Sequence, residues 1–159
     1  NPLWPQLADD RLTIDIIVDG YHLTKEEVKT FYEVKGVNKT ILVSDALDLA
    51  GLPPGEYIRG EKKVLLTANV VKYPAEDVLA GAAAPISKGV SNIMSFTGCS
   101  LEDAIQMAST NPAQLLKLDN IGEIKPGKRA DLIFFSFEEG EMLIHKTMVA
   151  GKIVYSKED

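Results

Sequence analysis

The chain has 159 residues, 45% hydrophobic and 25% charged, an ordinary globular composition that allows one sizeable core and excludes disordered and collagen-like chains. A formal charge of -6, with no clustered Lys/Arg face, argues against a nucleic acid or an anionic membrane as partner, because both select concentrated positive charge. Cys99 is the only cysteine, which excludes an internal disulfide framework and a thiolate zinc site and fits a reducing, cytoplasmic setting.

The chain opens with "NPLWPQLADDRL", a start at Asn1 that reads as a truncated or processed chain. Its apolar runs are too short to span a bilayer, and no basic region followed by an apolar core marks an export signal. Ile14 to Val18 is a compact Ile/Val run, which predicts a strand buried on both faces. "DGYHLT" follows, and Thr24 with Glu27 forms a capping box for an amphipathic helix over Lys25 to Lys35, closed by Gly36. "TILVS" is a second buried strand.

Strand, helix and strand at this spacing make a βαβ unit, hence parallel strands with a right-handed crossover. Ligand sites in such folds gather beyond the carboxyl ends of the strands. Asp19 and His22 follow the first strand and Asp45 follows the second, so all three are expected on one rim.

Leu47 to Pro74 reads as irregular, with "GLPPGEY" a turn-dense loop and one hairpin within Lys62 to Val71. A helix is predicted from Pro85 to Thr97, ended by Gly98, and a second, capped by Ser100 and Asp103, over "SLEDAIQMAST". Asn111-Pro112 is expected to break that helix before a short successor. Beyond Asp119 the runs "IGEIKPGKRADLIFFSF", "MLIHKTMVAG" and "KIVYS" read as short β segments.

Taken together, "DGYH", "LVSDA", "LAG", "SLEDAIQMASTNPAQLL" and "GEIKPGKRADLIFF" resemble the C-terminal part of amidohydrolase-superfamily deacetylases, and among these the N-acetylglucosamine-6-phosphate deacetylase family. The element from Gly122 to Leu132 recurs across the superfamily; "DGYH" ahead of "LVSDA" is the more specific signal. The resemblance implies an α/β fold: the last two strands and helices of a (β/α)8 TIM-like barrel over residues 1–119, then strands of a small β-sandwich over 120–159. It implies a small N-acetylated amino sugar as substrate; the strand edges and apolar faces that such a part of a barrel leaves uncovered add the expectation of a homo-oligomer, a dimer, and the charge balance that of neither nucleic acid nor membrane as partner.

Amide hydrolysis requires a strong nucleophile at the carbonyl and a proton for the leaving nitrogen. A divalent metal can supply the first and a carboxylic acid the second. The resemblance gives the catalytic carboxylate to Asp45; on spacing alone an Asp that caps the following turn is an equal alternative. It gives substrate contact to His22, beside the alternative of a loop histidine bonded to a carbonyl. Asp19 and Gly20 are expected to shape the turn that aims His22. Ala80, Gly81 and Ala82 would let backbone approach the substrate closely, or serve tight packing.

Asp48 is taken as a loop residue, and His145 as structural or surface. The metal that the resemblance implies, zinc or iron, has its ligands in earlier barrel strands, so no metal is expected to bind this segment and the isolated chain is expected to be inactive. Three features depart from the family pattern: Ser44 in place of Thr, Ala82 in place of Ser, and the "GLPPGEY" loop. Arg59 and Arg129 are not convincing phosphate ligands. An N-acyl-amino-acid hydrolase of the same superfamily, or a non-catalytic α/β module, remains the alternative.

Overall fold

A computed structural model describes residues 2–157. Asn1, Glu158 and Asp159, and with them the outer limits expected for the two parts of the chain, lie outside the described residues. After a short helix α1 (Leu3–Ala8), strand β1 (Ile14–Ile17), helix α2 (Lys25–Lys35), a 3-10 turn (Val37–Lys39) and strand β2 (Thr40–Val43) follow in order. β1 and β2 pair in parallel, from Ile14 opposite Thr40 to Ile17 opposite Val43. The expected βαβ unit is therefore present.

The capping box forms in full. Thr24 Oγ1 accepts from the Glu27 N–H at 3.2 Å, and Glu27 Oε2 accepts from the Thr24 N–H at 2.8 Å, so two otherwise orphaned donors are satisfied reciprocally. The central core unites Ile16, Val18, Val28, Leu42, Val90, Ile93, Ala104, Met107 and Met142. β1 departs from the expected burial on both faces: Ile16 is buried, Ile17 is half-buried and Asp15 is exposed. Helices cover one face of the two-stranded sheet, while Asp15, Ile17 and Val43 border an open cleft of about 490 Å³.

Between Gly55 and Ala82 the chain makes a four-stranded antiparallel meander where one hairpin was expected: β3 (Gly55–Arg59), β4 (Lys62–Leu66), β5 (Val70–Tyr73) and β6 (Val78–Ala82). "GEY" is thus the start of β3 and not loop. Leu49, Val64, Leu66 and Val71 form a second, smaller core beneath this sheet. β3 is an edge strand with Glu56, Ile58 and Arg59 exposed, so it lacks the apolar run that would have marked it in sequence.

Helix α3 (Ile86–Thr97) ends at Gly98 in the left-handed conformation, as expected. Asn111-Pro112, however, does not break the next helix. α4 (Leu101–Ile105) runs through a π turn (Gln106–Thr110) into α5 (Asn111–Leu115). Asn111 stays helical at φ -63°, ψ -47°. The wider turn accommodates a proline that lacks an N–H and whose ring would crowd a regular helix. Asn111 is buried, and its Nδ2 donates to the carbonyls of Val37 at 2.6 Å and Thr40 at 2.7 Å, tying this helix to the entry of β2.

The tail forms an antiparallel sheet of β7 (Leu132–Glu138), β8 (Glu141–Val149) and β9 (Lys152–Ser156). Residues 121–130, expected to contribute a β run, are turns and irregular chain. Met142 of β8 enters the central core, and its N–H donates to Ser91 Oγ of α3 at 2.9 Å. Among the described residues no helix is long and apolar enough to cross a membrane.

Candidate active site

β1 ends at Ile17, and two residues beyond it the buried carboxylate of Asp19 organises the loop that follows. Its Oδ1 accepts from the N–H groups of Tyr21 at 2.8 Å and His22 at 2.9 Å. Gly20 turns the backbone at φ 84°, a left-handed conformation that costs glycine little. Asp19 Oδ2 lies 2.7 Å from His22 Nδ1. With the carboxylate ionised, Nδ1 carries the proton and donates it, which leaves Nε2 facing the rim. The expected role of Asp19 and Gly20 in aiming His22 thus has a specific geometry. From the other side, Asn92 Nδ2 of α3 donates to the Val18 carbonyl at 2.8 Å and fixes the end of β1.

Asp45 follows β2 at the same rim. Its Oδ2 stands 3.9 Å from His22 Nε2, with the carboxylate about half exposed. The backbone at Asp45 has φ 53°, unusual for a residue with a Cβ and typical of positions held by their surroundings. What holds it is β6: the Ala82 N–H donates to the Asp45 carbonyl at 3.0 Å, and the Leu47 N–H donates to the Ala82 carbonyl at 3.0 Å. The turn-capping bond comes from the neighbouring residue, since Ser44 Oγ accepts from the Ala46 N–H at 3.3 Å. Among the described residues the Asp45 carboxylate meets only His22, so it remains available to an incoming group.

The other sequence candidates fall as follows. Ala80 and Gly81 lie in β6. A Cβ on Gly81 would stand 2.8 Å from Leu47 Cγ and 3.2 Å from the Asp45 carbonyl oxygen, so the missing side chain lets the Asp45 loop close onto the sheet. Ala80 packs against the smaller core. Asp48 Oδ1 accepts from Arg59 Nε at 2.9 Å, which removes both from the rim. Arg129 Nε likewise donates to Asp131 Oδ2 at 2.8 Å. His145 Nε2 lies 2.8 Å from Ser136 Oγ within the C-terminal sheet, a structural pairing. Burial pushes the Cys99 thiol above its ordinary range, the opposite of what a nucleophilic cysteine needs.

Sequence reasoning named Ala82 for a close backbone approach or tight packing but not for its hold on the Asp45 carbonyl, and it missed Asn92. It also missed Asn69, whose Nδ2 donates to Tyr21 Oη at 2.9 Å. Backbone donors carry no residue-type signal, and no spacing rule links Asn69 to a tyrosine so distant in sequence.

His22 Nε2 and Asp45 Oδ2 stand at the rim of a cleft walled by Ile17, Leu23, Phe31 and Val43 and bordered also by Asp15, a half-site in which one carboxylate and one imidazole face each other. Such a pair can orient a carbonyl and move a proton. It does not fit a catalytic metal by itself, because His22 Nδ1 is already engaged and no group of three or more His, Cys, Asp or Glu side chains is arranged to hold one among the described residues.

Comparison with known proteins bears on this geometry. The amidohydrolase family profile matches residues 14–154. An N-acetylglucosamine-6-phosphate deacetylase of Lysinibacillus sphaericus is 34% identical over 147 residues, 92% of this chain and 37% of that protein. An N-acetylgalactosamine-6-phosphate deacetylase of Escherichia coli O157:H7 is 33% identical over 128 residues, 80% of this chain and 33% of that protein. The crystal structure of an N-acetylglucosamine-6-phosphate deacetylase from Thermotoga maritima superposes with a TM-score of 0.84 at 33% identity, covering 96% of this chain and 41% of that one. The chain thus spans about a third to two-fifths of the length of these relatives.

Proposed function

From the premise that the chain belongs to the amidohydrolase family, we propose that it supplies the acid–base rim of a deacetylase acting on N-acetylglucosamine 6-phosphate or a related N-acetylated amino sugar. The observation that carries this reading is the Asp45 carboxylate: half exposed, in a left-handed backbone conformation, and 3.9 Å from His22 Nε2 at the carboxyl ends of two parallel strands. The deacetylase names of the relatives support the substrate class.

In this mechanism Asp45 takes a proton from the water that adds to the acetamide carbon and returns it to the sugar nitrogen as the C–N bond breaks, releasing acetate and the free amine. His22, oriented through Nδ1 by Asp19, directs Nε2 at the substrate as a positioning donor or acceptor. Asp19 is the group that fixes this orientation, much as buried carboxylates orient functional histidines elsewhere. Gly81 makes room for the Asp45 loop, and in this reading Ala80 and Gly81 are the backbone that the substrate approaches.

A divalent cation, zinc or iron, would activate water in the complete enzyme; its ligand set does not form among the described residues, so the chain alone is proposed to be inactive. The same reading makes residues 1–119 the closing portion of a barrel and 120–159 part of a small β domain.

The test is acetate release by the polypeptide encoded by the whole reading frame, offered N-acetylglucosamine 6-phosphate, its galactosamine epimer and an N-acetylated amino acid, with and without Asp45→Asn. Loss of sugar deacetylation in the variant supports the proposal. Turnover of the amino acid alone points to the sister hydrolase class. An unaffected variant, or hydrolysis by the isolated chain, rules out the role given to this rim.

A further inference from the structure

We infer that the β3–β6 sheet is a positioning frame for the reactive pair and that Asn69, at the turn between β4 and β5, is the residue that couples the His22 loop to it. This rests on the reading of His22 and Asp45 as that pair, but the coupling itself is a geometric claim that can be tested without catalysis.

The β1–β2 ladder ends at Ile17 opposite Val43. Residues 19–22 and 44–46 lie beyond it, so the parallel pairing does not by itself set the distance between His22 and Asp45. The inserted sheet spans that gap. At one point the Ala82 N–H holds the Asp45 carbonyl at 3.0 Å. At another, Asn69 Nδ2 holds Tyr21 Oη at 2.9 Å, one residue before His22.

The two anchors sit together at the same end of the sheet. Val70 is registered opposite Ala82, and the Ala83 N–H donates to the Asn69 carbonyl at 2.8 Å. The connection from Asp45 to His22 therefore runs through Ala82, Ala83, Asn69 and Tyr21, each joined to the next by a peptide bond or a hydrogen bond. Asp45 needs such external support because φ 53° is unfavourable for an aspartate left to itself. Tyr21 is 54% exposed, so little apolar burial would keep its ring in place without the bond to Asn69.

The experiment uses the 159-residue chain, with ring 15N and side-chain carboxyl 13C signals of His22 and Asp45 recorded by NMR together with amide hydrogen exchange at Ala82. Asn69→Ala and Tyr21→Phe are each expected to shift or broaden both side-chain signals and to speed Ala82 exchange roughly fivefold, the weight of one ordinary hydrogen bond. The double variant should do no more than either single one, because both remove the same link. Asn69→Asp should restore the signals by accepting from the tyrosine hydroxyl. Lys63→Ala, near the far end of the sheet and paired with Glu56 of β3, serves as the control and should leave them unchanged.

Unchanged His22 and Asp45 signals in Asn69→Ala, additive effects in the double variant, or the same perturbation from Lys63→Ala would each overturn the proposal. None of these results depends on Asp45 being the catalytic acid. If thermal unfolding showed Asn69→Ala to be unfolded, Tyr21→Phe, which removes only a hydroxyl from an exposed ring, would decide the matter alone.

Discussion

The N–H of Ala82 donates to the carbonyl of Asp45 at 3.0 Å, across a long excursion of chain that returns β6 to the rim it left. Through this bond the backbone of one strand fixes the conformation of the residue that carries the free carboxylate.

Asp45→Asn separates chemistry from stability. Asparagine tolerates the left-handed region, and the carboxylate is half exposed with no hydrogen bond to backbone among the described residues, so the unfolding free energy should change by less than about 0.5 kcal/mol. On the proposed function, acetate release by the polypeptide of the whole reading frame should fall by roughly 10²- to 10⁴-fold, the usual weight of a positioned acid–base group. Denaturant unfolding and single-turnover kinetics on the same preparation check both halves.

Lys35 is buried, and its Nζ donates to the carbonyls of Gln6 at 3.2 Å, Asp9 at 2.7 Å and Leu12 at 3.1 Å. Lys35→Met keeps the volume but leaves three acceptors without that donor. A loss of about 2–3 kcal/mol is expected in urea unfolding, with hydrogen exchange rising first in α1. A variant as stable as the parent would mean that water replaces the ammonium without penalty.

The helix α2 cap should be sensitive to acid. The Thr24 N–H and, next, the Thr24 hydroxyl hold the Glu27 carboxyl below the usual glutamate range. A depressed folded-state pKa stabilises the fold above the ordinary glutamate value, and that contribution is lost as pH falls through the lower folded value. The window therefore opens below pH ~4.3. In Glu27→Gln this component of the acid transition should disappear; an unchanged pH dependence would remove the cap from the account.

Gly122 turns at φ 84°, and a Cβ there would lie 2.6 Å from Ala113 Cβ, while its carbonyl accepts from Thr110 Oγ1 at 2.8 Å. Gly122→Ala combines backbone strain with a clash against α5, so destabilisation of about 2 kcal/mol or more is expected. Gly127→Ala, with a similar φ of 86° but open space around it, should cost less. Comparing the two melting curves isolates the packing contribution.

Several elements were legible because a local rule determines them. The capping box of Thr24 and Glu27 and the ends of α3 at Pro85 and Gly98 depend on residues within a turn of one another. The alternation of apolar run, amphipathic helix and apolar run was enough to place Asp19, His22 and Asp45 on one rim. Where the local rule met a tertiary competitor, it lost. Asn111-Pro112 reads as a break, yet the buried side chain of Asn111 bonds to Val37 and Thr40 and the π turn absorbs the proline. β3 reads as loop because half of an edge strand faces water and its pairing partner, not its own composition, makes it a strand.

The same division runs through the site. Residue order alone determined that a carboxylate and an imidazole would follow two parallel strands, since chain direction and crossover length leave few other places for them. The 3.9 Å between His22 and Asp45, the choice of Ser44 over Asp45 as the turn cap, and the hold of Ala82 and Asn69 on the rim were decided only in three dimensions. They rest on backbone donors and on contacts between residues far apart in sequence, and neither leaves a pattern that residue type and spacing can carry.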